Sequence, residues 1–322
     1  MPTTQLFINK YKPIFFKDFN SNEQAIEIIR SLILFNGINV LIVGDKSSGK
    51  TTLLNAIIRE YYNNLEPKQY DENVLCINSL QEQGIHYYRN EVKTFCQSFS
   101  IIKNKKKILV LDDIDLINEQ SQQTFRNYID KYSHNVNFIS SCNSIQKVAE
   151  CLQSRLFNVK IFPLQTTQIV DIVNKIKLQE NIIIDENALP FIINVSNNNA
   201  KIVVSYMEKF KLINEPITLE KATHLCTNIS FSLFEEYTRL IINNKKSEAI
   251  LLIYNIFDKG YSVIDILDNY FVFIKITECI TEEQKYKIIP HICKYIAVFN
   301  EIHEHEIELA LFTNNITNII GN

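Results

Sequence analysis

The run Gly44-Asp45-Lys46-Ser47-Ser48-Gly49-Lys50-Thr51 satisfies the G-x-x-x-x-G-K-[ST] pattern in full, and it narrows the possible folds more than any other feature. It also stands in the context that the pattern needs. The apolar run Val40 to Val43 reads as a buried strand, and a helical pattern runs from Lys50 to about Tyr62. The two glycines let the backbone bend so that N–H groups from Gly44 through Thr52 point inward at phosphate oxygens. The helix start adds partial positive charge there. Asp45, Lys46, Ser47, Ser48, Gly49 and Thr52 form this cradle, Lys50 reaches the β- and γ-phosphates, and the Thr51 hydroxyl is placed for Mg2+. ATP and Mg2+ are the cofactors that follow.

The first half alternates strand-like and helix-like segments. Further strands are expected at Val74–Ile77, Ile108–Leu111, Val136–Ser141 and Val159–Phe162. Helices are expected from Ile85 to Phe99 and from Gln120 to Tyr132. Strands alternating with helices predict a parallel sheet covered on both faces. After Pro163 the strand-like runs stop, and helices are expected over Thr166–Asn181, Asp185–Val195 and Ala200–Leu212. A last block from about Ser230 is helical in pattern almost throughout. The expected layout is therefore an α/β nucleotide-binding core over 1–163, a small helical lid over 164–228 and an all-α domain over 229–322.

Three further elements belong to a nucleotide machine. Leu111-Asp112-Asp113-Ile114-Asp115 follows the third strand, where Asp112 would hold Mg2+ and Asp113 would act on the attacking water, with a merely solvated acidic turn as the alternative. Asn143 follows the fourth strand and can orient water against a γ-phosphate, although an Asn after a strand is also an ordinary turn residue. Arg155, in Leu152-Gln153-Ser154-Arg155, can stabilise charge on a phosphate held by a neighbouring subunit. By itself it could equally be a surface ion pair.

Charge and cysteine usage exclude several classes. A net charge of −3 opposes indiscriminate coating of DNA, so any DNA contact must come from basic residues grouped on one face. Seven scattered cysteines without a Cys-x-x-Cys pair suit a reducing compartment and oppose a disulfide framework or a zinc module. No signal pattern opens the chain and no apolar run has the length a bilayer requires, so an intracellular, soluble protein is expected.

Together these residues resemble the small subunits of replication factor C, the AAA+ sliding-clamp loaders of eukaryotes, archaea and viruses. Asn9-Lys10-Tyr11-Lys12-Pro13 resembles the family's Glu-Lys-Tyr-Arg-Pro box, which lies against adenine; the resemblance implies that Tyr11 and Pro13 would do so here. Val74 to Phe95, with Asn78 and Gly84-Ile85, resembles its second strand and following helix, and Ser121-Gln122-Gln123 to Arg126 the helix after Walker B. Asn143 takes the place of sensor 1. Ser154-Arg155-Leu156 resembles the Ser-Arg-Cys signature, which implies that Arg155 acts in trans. Lys259-Gly260-Tyr261-Ser262 with Asp265-Ile266 resembles part of the helical collar, so that 229–322 would serve oligomerisation.

There are departures. The family's Asp-Glu-Ala-Asp reads Asp112-Asp113-Ile114-Asp115, its Pro-Pro-Gly-Thr loop interior reads Asp45-Lys46-Ser47-Ser48, and the sensor-2 arginine position holds Lys201. Asp113 is one methylene shorter than Glu, and Lys201 lacks the planar fork of Arg. The resemblance implies a pentameric ring with other clamp-loader subunits, a PCNA-like sliding clamp, primer–template DNA and no membrane. It also implies a place at sites of DNA replication, nuclear in a eukaryote and cytoplasmic for an archaeon or a cytoplasmic virus. The alternatives are an ATP-binding, weakly hydrolysing structural subunit of the same ring, and another AAA+ helicase loader or remodeller.

On the helix after Gly84, Tyr88, Val92, Phe95 and Phe99 are expected to pack on the sheet, while Arg89 and Lys93 share the opposite face. These two are the candidate DNA-phosphate contacts, with an ordinary solvated face as the alternative. The group Lys103, Lys105, Lys106 and Lys107 is expected to be a solvated loop, with a nuclear-import patch as the weaker alternative.

Overall fold

The computed structural model describes residues 5–63, 65–78, 85–226, 229–299 and 303–320. Five strands, β1 (Val40–Val43), β2 (Val74–Asn78), β3 (Lys107–Asp112), β4 (Val136–Cys142) and β5 (Phe157–Lys160), form one sheet in the order β2-β3-β4-β1-β5. Every pairing is parallel, with Val40 opposite both Ile139 and Phe157, and Leu111 opposite Ser140. β1, β3 and β4 are buried along almost their whole length, as a parallel sheet covered by helices on both faces demands.

Alternate residues supply the two faces. Val40, Ile42, Ile108, Val110 and Ile139 pack with Leu53, Leu54 and Ile57 on one side. Leu41, Leu109, Leu111 and Phe138 pack with Tyr88, Val92 and Phe125 on the other. The helices up to this point are α1 (Phe7–Lys10), α2 (Glu23–Leu34), α3 (Lys50–Tyr61), α4 (Pro67–Tyr70), α5 (Ile85–Gln97), α6 (Glu119–Tyr132) and α7 (Glu150–Gln153). Then follow α8 (Thr166–Glu180), α9 (Ala188–Ser196), α10 (Ala200–Ile213) and α11 (Leu219–Leu225). The last five are α12 (Phe231–Ile242), α13 (Lys246–Phe257), α14 (Val263–Ile276), α15 (Glu282–Phe299) and α16 (Ile307–Ile320).

The chain divides into two compact units. One runs to Ile182 and takes in Asn198–Asn214; the other is Ile183–Asn197 together with the chain from Glu215 onward. In the first, α1 is tied to the long helices after the sheet. Lys10 Nζ and Tyr11 Oη both donate to Glu180 Oε1 at the end of α8, and the Phe7 N–H donates to Glu208 on α10. The second unit is helical around Phe234, Tyr237, Tyr270 and Phe312, with Tyr237 and Thr313 hydroxyls 2.8 Å apart inside it. Gly260 there takes φ +93°, a conformation costly for a residue with a side chain, and Ser262 caps α14 by accepting from the Asp265 N–H at 3.0 Å.

Three expectations shift. The fifth strand begins two residues early, at Phe157, whose N–H bonds the Asn39 carbonyl at 2.7 Å; on this edge strand only Val159 is buried, so hydropathy marks its register poorly. α5 stops at Gln97, which leaves Phe99 beyond the helix and 87% exposed, and Cys96 fills the buried position instead. Lys107 is not solvated: it opens β3, is buried, and donates to Ser98 Oγ, while Lys106 donates to the Ser133 carbonyl. Burial lowers the Lys107 pKa. Gly84 lies outside the described residues.

α6 starts directly after the acidic turn that ends β3. Asn118 caps it by accepting from the Ser121 N–H at 2.9 Å. Buried Gln122 then fastens that turn to the segment after β4. Its Nε2 donates to the carbonyls of Ile114, Ile117 and Lys147, and its Oε1 accepts from the Ala149 N–H at 2.7 Å. Replacing Gln122 by Ala strands these groups in the core. The expected loss of stability is about 2–4 kcal/mol, read from denaturant unfolding.

Candidate nucleotide-binding site

Strand order places the site. β4 lies between β1 and β3, so the loop after β1, the acids ending β3 and the polar end of β4 meet along one edge of the sheet. Ligands of open α/β sheets bind at this carboxyl edge.

The loop leaves β1 at Gly44, whose N–H bonds the Cys142 carbonyl at 3.2 Å. A Cβ there would stand 2.6 Å from Ile161 Cγ1 and 2.9 Å from its carbonyl oxygen, so only glycine fits. Ser47 and Gly49 both take positive φ, the alternation that turns successive N–H groups into an anion-binding nest. Asp45 and Lys46 are exposed on the loop, and the buried Ser48 Oγ has no hydrogen-bond partner among the described residues. An apolar crevice against Ser48 and Gly49 is walled by Phe19, Ile26, Leu53 and Ile161.

Lys50 is buried at the head of α3. Its Nζ donates to the carbonyls of Gly44 and Asp45 at 3.0 and 2.9 Å and to Asn143 Oδ1 at 2.8 Å. Thr52 follows it in the first turn. The Thr51 hydroxyl donates to Asp112 Oδ2 at 2.8 Å, bringing a hydroxyl and a carboxylate oxygen to one point. Such hard oxygen donors suit Mg2+, so these residues fit that ion. Asn143 Nδ2 reaches Asp113 Oδ1 at 3.1 Å, which links the end of β4 to the acid turn. Asp113 itself takes φ +53°. Burial, and then the charge of Asp112, raise its carboxyl above the ordinary value, partly opposed by Lys50.

Sequence reasoning missed Ser141. Its hydroxyl donates to Asp112 Oδ1 at 2.5 Å and accepts from the Asp113 N–H at 3.0 Å, so one β4 side chain holds both acids. A serine inside a buried strand, two residues before Asn143, was the available signal.

The remaining candidates are not brought to the loop by any contact among the described residues. Tyr11 and Pro13 are half-buried, and the Tyr11 hydroxyl is occupied by Glu180; burial and that bond raise its pKa. Lys201 is exposed in the first turn of α10. Arg89 and Lys93 are exposed on α5 away from buried Tyr88 and Val92. Arg155 lies two residues before β5, at the edge where β1 begins, whereas the loop follows the end of β1. The four residues of β1 span roughly 13 Å at about 3.3 Å each.

The profile described as the ATPase family associated with various cellular activities (AAA) matches residues 40–164. Among curated proteins, replication factor C subunit 3 of Oryza sativa subsp. japonica is 25% identical over 274 residues, 83% of this chain and 74% of the relative. The replication factor C small subunit of Methanococcus maripaludis (strain C7) is 26% identical over 82% of this chain and 84% of its own. Among solved structures, the Thermotoga maritima RuvB Holliday junction branch migration motor aligns with a TM-score of 0.53 at 12% identity. That alignment covers 67% of this chain and 72% of the motor, a likeness of fold alone. Residues 40–164 match the AAA ATPase family and carry its P-loop, and likeness to replication factor C subunits spans over four fifths of the chain.

Because the Ser141 hydroxyl holds both acids, Ser141→Ala should leave ATP affinity within a few-fold and lower turnover about ten- to a hundredfold. Titration calorimetry and steady-state phosphate release check the two halves.

Proposed function

We propose that this AAA-type P-loop ATPase, similar to replication factor C small subunits, is one subunit of a pentameric ring that opens a DNA-polymerase processivity clamp. The ring would load that clamp onto primer–template DNA at sites of replication, using ATP binding and hydrolysis. The observation that carries the reading is the linked set Lys50–Asn143–Asp113 and Thr51–Asp112 at the carboxyl ends of β1, β4 and β3. Likeness to named clamp-loader relatives over most of the chain gives it a setting.

In this reading Lys50 exchanges its bonds to the Gly44 and Asp45 carbonyls for β- and γ-phosphate oxygens, while the loop N–H groups take the remaining charge. Thr51 and Asp112 would hold Mg2+, which supplies neutralisation of phosphate charge. Tyr11 and Pro13 would face adenine, and Lys201 would reach the triphosphate from the lid at 164–228. Asp113 would accept the proton of the attacking water that Asn143 orients. Arg155, which sits at the far edge from its own loop, would act on the neighbour's ATP. The helices from 229 onward would form the ring contact. Arg89 and Lys93, both exposed, would touch template phosphates, a contact that weakens with salt and ignores sequence.

A specific observation favours a second reading, a subunit that holds ATP and turns it over weakly. Asp113 is short for its role and its carboxylate is drawn onto Asn143. Two measurements separate the readings. Lys50→Ala should abolish ATP binding by calorimetry; if it also leaves the turnover of the assembled complex untouched, this site is not a motor. The pH profile of turnover gives the other. The working form of Asp113 is deprotonated and burial raises its pKa, so turnover should fall on acidification at a higher pH than an unperturbed aspartate would give. Asp113→Asn should remove that limb together with the activity.

A further inference from the structure

Arg155 is not a free surface arginine. Its Nε donates to Asp130 Oδ1 at 2.6 Å, and its Nη1 donates to the Cys151 carbonyl at 2.9 Å and to Ser154 Oγ at 3.3 Å. A guanidinium carries five N–H donors on three nitrogens. Among the described residues Nε and Nη1 are engaged and Nη2 has no hydrogen-bond partner, so its N–H bonds can meet another anion. Asp130 comes from the last turn of α6, with Arg126 one turn before it at 3.9 Å. A carboxylate in that turn opposes the helix dipole, and an exposed ion pair adds little to stability. The pair therefore does little for the fold, and its effect lies in the pose it gives Arg155.

We propose that Asp130 is a positioning residue for Arg155: it holds the guanidinium in one orientation, with Nη2 outward, before a neighbouring subunit's triphosphate arrives. This rests on the reading of Arg155 as acting in trans. An arginine on a long flexible stem loses rotamer freedom when it grips a transition state, and a preset pose has already lost it. The same pair ties the outgoing arginine to α6, whose first residues follow directly on the acids of this chain's own site.

The test uses the complex that co-purifies with the full-length chain, carrying Asp130→Ala, Asp130→Glu, Arg155→Ala or the Ala pair, and reads ATP turnover, KM and the thermal midpoint. Asp130→Ala should remove the larger part of whatever turnover Arg155→Ala removes, leaving KM for ATP and the midpoint unchanged. Asp130→Glu should restore most of it, and Asp130→Ala should add nothing in the Arg155→Ala background. Full turnover with Asp130→Ala, when Arg155→Ala is impaired, overturns the proposal. So does a loss that persists in the Arg155→Ala background. If Arg155→Ala itself leaves turnover intact, the trans reading fails, and the proposal falls with it.

Discussion

Three bonds from the Lys50 ammonium hold the nucleotide edge of the sheet together. They run to two carbonyls of the loop after β1 and to the amide side chain at the end of β4. A buried ammonium needs such partners, because an unpaired charge removed from water is costly. Its position also explains why the site is poised for phosphate. In the proposed function the donors that now point at backbone oxygens turn to phosphoryl oxygens.

β4 acts as the spine of the site. It supplies Ser141, with Asn143 directly after the strand, between the loop strand and the acid strand. Ser141 fixes Asp112 and the backbone of Asp113, and Asn143 links Asp113 to Lys50. A hydrogen-bonded chain of this kind is sensitive to any member, since loss of one leaves partly buried polar groups unpaired. The positive φ of Asp113 belongs to the same arrangement: it lifts the acid out of the strand direction into the turn that α6 continues.

α6 carries the acid turn into the rest of its unit. Gln122 near its start bonds to both the turn and the segment after β4, and Asp130 near its end holds Arg155 at the opposite edge of the sheet. One helix thus runs from the segment after the chain's own acids to the aspartate that holds Arg155. The second unit has a separate apolar core, in which paired hydroxyls such as Tyr237 with Thr313 satisfy the few buried polar groups.

Local pattern alone determined much of this protein. The phosphate loop, the strands β1 to β4, the acids after β3 and the helical second half were all legible, because a loop motif, short apolar runs and helical periodicity are properties of neighbouring residues. The end of α5 was not, since Phe99 fits the period but lies past the last turn, and nothing local distinguishes a phenylalanine that packs from one left exposed. The start of the edge strand was missed for a related reason: exposed Phe157 and Asn158 belong to it through pairing with Val40 and Leu41 of β1, which their own hydropathy does not mark. Ser141 and Asp130 escaped notice because a serine in a strand and an aspartate on a helix carry no meaning until strand order and helix packing bring them to Asp112 and to Arg155. Sequence fixes which groups can bind phosphate; long-range pairing, which no local window contains, decides which of them meet.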